Sequence, residues 1–102
     1  MATVKVGQVD EVPAGAGKVV QAGKTELALF NVGGTFYVLD NRCTHMGGPL
    51  GEGKVEGNQV TCPWHGSVFN ITTGAVVRPP ARRPVATYPV RVEGNDVLVD
   101  LP

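Results

Sequence analysis

Residues 43–67 read CTHMGGPLGEGKVEGNQVTCPWHGS, and this stretch holds both cysteines and both histidines of the chain. They are Cys43, His45, Cys62 and His65, so the pattern is C-x-H, sixteen intervening residues, then C-x-x-H. Each pair can offer one thiolate and one imidazole to a shared metal centre. The pattern therefore predicts two loops that hold one centre between them.

Two kinds of centre accept two cysteines and two histidines. Tetrahedral zinc does, but its usual order is C-x₂₋₄-C followed by H-x₃₋₅-H, which the single residue between Cys43 and His45 fits poorly. In a Rieske-type [2Fe–2S] cluster, two cysteines bind one iron and two histidines bind the other. The spacing favours the iron–sulfur cluster, and a zinc-binding interaction module is the alternative.

Outside this stretch, short apolar runs separated by turn residues predict strands. Gly33-Gly34 lies between two such runs in residues 25–40 and predicts a hairpin, because both central residues of a type I′ turn need a positive φ. Valines alternate in the same way on either side of residues 93–96. Shorter strands are predicted at residues 4–6, 19–22, 60–61 and 68–71. Since no window has a sustained helical period, we expect an all-β antiparallel fold, a sandwich or an open barrel.

Two stretches interrupt the strand pattern and are expected to form the cluster-binding loops. The first covers residues 41–58 and contains five glycines in eighteen residues. The second begins with the compact turn at residues 62–67 and extends to about residue 70. Loops carried on a rigid scaffold are the usual place for binding residues, and all four candidate ligands lie in these two.

Composition limits the possible functions. A chain of 102 residues with 42% apolar residues predicts one globular domain over residues 1–102. Its nine basic and nine acidic residues cancel, so nucleic-acid binding is not expected. The amino terminus lacks the apolar run of a signal peptide, and no segment approaches the ~20 apolar residues of a membrane helix. We therefore expect a soluble cytoplasmic protein.

The motifs CTHMGGPL (residues 43–50) and CPWHGS (residues 62–67) resemble the two-box signature of Rieske-type [2Fe–2S] ferredoxins. Residues 74–99, GAVVRPPARRPVATYPVRVEGNDVLV, resemble that family's proline loop, here at about 78–84, followed by its closing strands. The resemblance implies a stack of small antiparallel sheets with a two-loop cluster-binding tip. It also implies that Cys43 and Cys62 bind the inner iron, and that His45 and His65 bind the outer, solvent-facing one.

The resemblance gives further residues a role around the cluster. Ser67 is the usual donor to a bridging sulfide, and Gly47 and Gly48 permit tight turns and backbone N–H contacts to sulfide. Pro79 and Pro80 cover the cluster and limit water, as the resemblance implies, or form an ordinary stiff loop. Trp64 shields the cluster, marks a docking surface, or simply packs over the loop.

Three positions in or next to the two ligand motifs are expected to affect the reduction potential of the cluster. High-potential members of the family add a disulfide between the two loops, at positions that match Gly48 and Trp64 here, and place a tyrosine hydroxyl where this chain has Phe69. Hydrogen bonds to cluster sulfurs raise the potential, so their loss lowers it. We expect a value in the lower part of the family's range of about −150 to +300 mV.

No nucleophile–base pair or set of paired carboxylates stands out, so the chain is not expected to be an enzyme. The resemblance implies a one-electron carrier that passes electrons from a flavin-dependent reductase to a terminal, ring-hydroxylating oxygenase. The sequence leaves the oligomeric state open, and a monomer is the simplest form for a diffusing carrier. The small Rieske subunit of an NAD(P)H nitrite reductase is the alternative. Four arginines in or near the cluster-end loops either steer an acidic partner or are ordinary solvated charges: Arg42, Arg78, Arg82 and Arg83.

Overall fold

The computed structural model describes residues 2–44, 47–64 and 66–101. Within these ranges the chain forms eleven strands, arranged in three antiparallel sheets, and one short 3₁₀ turn at Leu50–Glu52. The first sheet has the order β1 (Ala2–Gln8), β11 (Asp96–Leu101), β10 (Val90–Glu93). The second has the order β2 (Gly17–Ala22), β3 (Thr25–Val32), β4 (Thr35–Asp40), β9 (Thr87–Tyr88). The third runs β5 (Lys54–Glu56), β6 (Gln59–Thr61), β7 (Val68–Asn70), β8 (Val76–Arg78).

The expected all-β antiparallel class is confirmed, and its form is the stack of small sheets that the resemblance implied. Gly33 and Gly34 have φ values of 60° and 96°, as the predicted hairpin between β3 and β4 requires. The turn at Gly94, with φ of 62°, joins β10 to β11 as predicted. Within the described ranges, no helix is long and apolar enough to span a membrane.

Two expectations about loops were wrong. Residues 41–58 are not loop throughout, because the segment contains the 3₁₀ turn and β5, which pairs with β6. Gly53 and Gly57 flank β5, so this stretch has the glycine-rich sequence of a loop although it contains a strand. The segment 62–70 likewise ends in β7, which forms the strand predicted at residues 68–71. β8 ends at Arg78, where the proline loop was expected to begin.

The central sheet separates two apolar cores. Side chains of a strand point alternately to opposite faces, and β3 is buried on both. Leu27 and Leu29 pack into a core with the three-stranded sheet, whereas Ala28 and Phe30 enter a second core. Cys43 and Cys62 belong to this second core, so the predicted ligand loops rest directly on it.

Candidate metal centre

The first loop is anchored by Asn41, which is buried immediately after β4. Its carbonyl accepts a hydrogen bond from Leu50 N at 2.7 Å, and its Oδ1 accepts one from Gly51 N at 2.8 Å. Its Nδ2 donates to Glu26 Oε1 at 2.7 Å. Asn41 thus joins both ends of the loop to the central sheet. Sequence reasoning missed this residue, although an asparagine at a strand end is a known turn signal.

The tip of the first loop is a closed turn around Cys43. Cys43 N donates to the Gly48 carbonyl at 2.9 Å, and Gly47 N donates to the Cys43 carbonyl at 2.8 Å. Gly47 has φ of 77°, a conformation that favours glycine. The tight turn expected at this glycine is therefore present, and its hydrogen bonds hold the backbone at Cys43.

The second loop closes in the same manner. Cys62 N donates to the Ser67 carbonyl at 2.7 Å, and Gly66 lies inside the turn with φ of 77°. Cys62 is 2% exposed and Cys43 is 4% exposed. Each loop therefore presents one buried thiol to the second core.

The two loops meet at Gly48. A Cβ built on this glycine would lie 2.7 Å from Cys62 Sγ and 3.1 Å from Trp64 Cβ. Cβ atoms joined by a disulfide are about 3.5–4.5 Å apart, so positions 48 and 64 face each other at slightly less than that spacing. Both cysteines are free thiols, and glycine and tryptophan occupy the facing positions instead.

The thiols are shielded from water and interact with each other. Burial is the main cause that raises the pKa of the Cys62 thiol to about 11. The Trp64 backbone N–H lowers this pKa, and the nearby Cys43 thiol raises it. Only the thiolate binds metal, so a metal bound here must displace the protons. Two adjacent buried thiols, offered from separate loops, fit the inner half of a [2Fe–2S] site.

Ser67 is fully buried, and its Oγ accepts a hydrogen bond from Ala81 N at 3.0 Å. That bond occupies a lone pair and leaves the hydroxyl hydrogen able to donate. It also ties the second loop to the proline loop. Thr44 Oγ1 makes a second tie by donating to the Arg83 carbonyl at 2.7 Å.

The remaining predicted residues occupy different environments at this end of the molecule. Pro79 and Pro80 line an open groove together with Thr44, Arg82 and Arg83. Trp64 is 50% exposed. Phe69 is fully buried in the same core as both cysteines. His45 and His65 lie outside the described residues.

Comparison with known protein families shows the family to which the chain belongs. Residues 2–89 match the model of the Rieske [2Fe–2S] domain, so the chain belongs to this family and binds one [2Fe–2S] cluster. The resemblance found in the sequence is confirmed, and the cluster is favoured over zinc.

Individual proteins are similar to this chain over nearly its whole length. The chain is 42% identical to the 3-phenylpropionate/cinnamic acid dioxygenase ferredoxin subunit of Escherichia coli (strain K12), over 92% of this chain and 89% of the relative. It matches the Sphingomonas yanoikuyae B1 ferredoxin with 38% identity and a TM-score of 0.93, over 99% and 100% of the chains. A chain from a complex of reduced oxygenase and oxidized ferredoxin in carbazole 1,9a-dioxygenase is 33% identical with a TM-score of 0.89, over 95% and 91%. These similarities place the chain among electron-transfer ferredoxins rather than enzymes, and favour them over the nitrite reductase alternative.

Proposed function

We propose that this ferredoxin carries single electrons from a flavin-dependent reductase to a terminal, ring-hydroxylating oxygenase. The observation that carries the proposal is the 42% identity with a dioxygenase ferredoxin subunit, which extends over 92% of the chain. The solved complex of an oxygenase with its ferredoxin supports the step in which the ferredoxin passes its electron to the oxygenase. A carrier of this kind acts as a cytoplasmic monomer that diffuses between its partners.

The proposed ligands are Cys43 and Cys62 for the inner iron and His45 and His65 for the outer one. When bound, the cluster accepts and releases one electron. The described residues serve it by burying both thiols, holding the loops together at Gly48 and keeping water from the inner half. Cover by Pro79 and Pro80 belongs to the proposal as well, supported by their place beside Thr44 at the mouth of the loops.

The proposed potential is low within the family's range. Positions 48 and 64 face each other without a disulfide, and Phe69 brings no hydroxyl to the core that contains the thiols. Ser67 is then the side-chain hydroxyl available to stabilise added negative charge on a cluster sulfur.

The Ser67→Ala variant should keep its cluster and have a lower potential. Loss of a hydrogen bond worth about 1 kcal/mol more in the reduced state corresponds to about 40 mV for one electron. A spectroscopic redox titration measures the shift. Thr72→Ala is the matched control, since Thr72 Oγ1 bonds to Asn70. An unchanged reduction potential in Ser67→Ala would show that Ser67 does not raise the potential of the cluster.

Substitution into a relative's system tests the proposed route. The cluster-loaded chain should replace the ferredoxin subunit of the E. coli 3-phenylpropionate dioxygenase, with its reductase and oxygenase supplied separately. Product formation should rise in proportion to the ferredoxin added. Cys62→Ser protein, which should lack the cluster, serves as the control. Turnover equal to that control, both here and with the carbazole 1,9a-dioxygenase components, would contradict the route.

A further inference from the structure

The basic residues fall into two groups according to whether they form ion pairs. Four of the nine are paired on strand surfaces: Lys5–Asp96 at 3.1 Å, Lys18–Glu11 at 3.3 Å, Lys54–Glu56 at 4.0 Å and Arg91–Glu93 at 3.6 Å. In contrast, Arg78, Arg82 and Arg83 have no ion-pair partner within the described ranges, and all three are exposed. Residues 57–92 contain no aspartate or glutamate at all. Lys24 and Arg42 are also exposed and without an ion pair in the described part of the chain, but they line a different pocket that contains Glu26 and Asp40. The positive charge of Arg78, Arg82 and Arg83 is therefore not neutralised locally.

The fold brings these arginines to the cluster end. Arg78 lies opposite Val68 in the β7–β8 ladder, directly beside the end of the second ligand loop. Arg82 and Arg83 line the groove with Thr44. The hydrogen bond from Thr44 to the Arg83 carbonyl holds this segment against the first loop. We refer to Arg78, Arg82 and Arg83 as the arginine rim.

The same end exposes apolar surface. Trp64 and Val77 are 50% and 49% exposed, and they are two of the three large apolar side chains found exposed in the described part of the chain. Trp64 lies in the second ligand loop, and Val77 directly precedes Arg78. Tryptophan and arginine are the residue types most enriched at the energetic centres of protein interfaces. The combination is typical of a protein-docking surface.

The three-stranded sheet carries the opposite charge. Its strands contain three acidic residues (Glu93, Asp96 and Asp100) against Lys5 and Arg91. The chain has a formal net charge of zero, so the positive charge of the rim is balanced by acidic residues elsewhere in the chain. Such a distribution orients a charged partner during its approach.

We propose that the cluster end docks an acidic face of a protein redox partner, with Trp64 as its apolar centre and the arginine rim around it. The inference rests on the proposed function, since it assumes that electrons leave through this end. A neutral chain with three clustered arginines suits an acidic protein surface better than nucleic acid, which rewards a strongly basic domain.

Oxidation of the reduced, cluster-loaded protein by two small oxidants tests the sign of the charge at the electron exit. With anionic hexacyanoferrate(III), the second-order rate should fall about threefold or more between ~10 and ~200 mM ionic strength, because salt screens the attraction. With cationic hexaamminecobalt(III), the rate should rise with salt. Rates that do not depend on salt, or that show the reverse signs, would overturn the proposal.

Two double variants that remove the same charge provide the comparison. Arg82→Gln/Arg83→Gln should lose most of the salt dependence, whereas Lys5→Gln/Arg91→Gln, on the three-stranded sheet, should retain it. If both double variants lost the salt dependence equally, the net charge of the protein would control the oxidation rate rather than the arginine rim. Small oxidants need neither the reductase nor the oxygenase, so this outcome is separate from failure of the proposed route, which would appear as absent turnover with the dioxygenase components.

A polymeric probe tests the kind of partner. Poly-L-glutamate should slow oxidation of the wild-type protein by hexacyanoferrate(III), because it occupies the rim, and should have little effect on Arg82→Gln/Arg83→Gln. Stronger competition from phosphatidylglycerol vesicles than from poly-L-glutamate at equal charge would overturn the protein partner in favour of a lipid surface.

Discussion

Cys62→Ser protein should contain no [2Fe–2S] cluster. The Cys62 thiol is 2% exposed, and Gly48 and Ser67 confine its loop. A serine hydroxyl in its place does not supply the soft thiolate that iron–sulfur clusters require. We expect iron content to fall to background and the visible absorption of the oxidised protein to disappear.

A second variant guards against a trivial loss of folding. His65→Ala alters the proposed outer ligand and leaves both buried thiols in place, and it should also abolish the Rieske spectrum and electron transfer. Ser67→Ala is the matched control from the same loop and should keep the full iron content. A Cys62→Ser or His65→Ala protein with normal iron content and an unchanged spectrum would refute the ligand assignment.

Gly74→Ala should cause a large loss of stability while leaving the proposed ligands intact. Gly74 has φ of 79°, and a Cβ there would clash with the Val85 carbonyl oxygen. The backbone is tied on both sides of this contact, by Val85 N to the Gly74 carbonyl at 2.9 Å and Gly74 N to the Asn70 carbonyl at 2.7 Å. Relief of the clash must therefore break the attachment of the proline loop. We expect a loss of about 3 kcal/mol or more.

Gly57→Ala isolates the effect of the clash. Gly57 has a similarly positive φ of 60°, but a Cβ there would meet nothing within 4 Å. Only the cost of the left-handed conformation remains, about 1–2 kcal/mol. The urea midpoint of cluster-loaded protein should fall much further for Gly74→Ala than for Gly57→Ala. Equal midpoints would show that the Gly74–Val85 contact adds nothing beyond backbone conformation.

The hairpins of the fold could be predicted, because turn residues and alternating side chains next to each other in the sequence specify them. Gly33-Gly34 and the alternating valines near the carboxyl end specify hairpins by turn geometry and side-chain alternation alone. The division of TYPVRV between two sheets was not predicted. Pro89 interrupts this run between β9 and β10, and which sheet each half joins depends on partners distant in the sequence.

The same distinction holds for the site. The spacing of Cys43, His45, Cys62 and His65 indicated a shared centre because ligand chemistry restricts residue type strictly. Asn41 and the Thr44–Arg83 tie were missed, since any of several polar residues can make such bonds once the loops are assembled. Short β5, with a single half-buried valine between two exposed residues, carries too little pattern to distinguish it from loop.

Low-temperature electron paramagnetic resonance of the dithionite-reduced protein, recorded beside the visible spectrum of the oxidised form, tests the central claim most directly. Mixed cysteine and histidine ligation of a [2Fe–2S] cluster predicts the rhombic signal of a reduced Rieske centre. A colourless protein with no such signal, containing zinc or no metal, would contradict the assignment of this chain as a Rieske electron carrier.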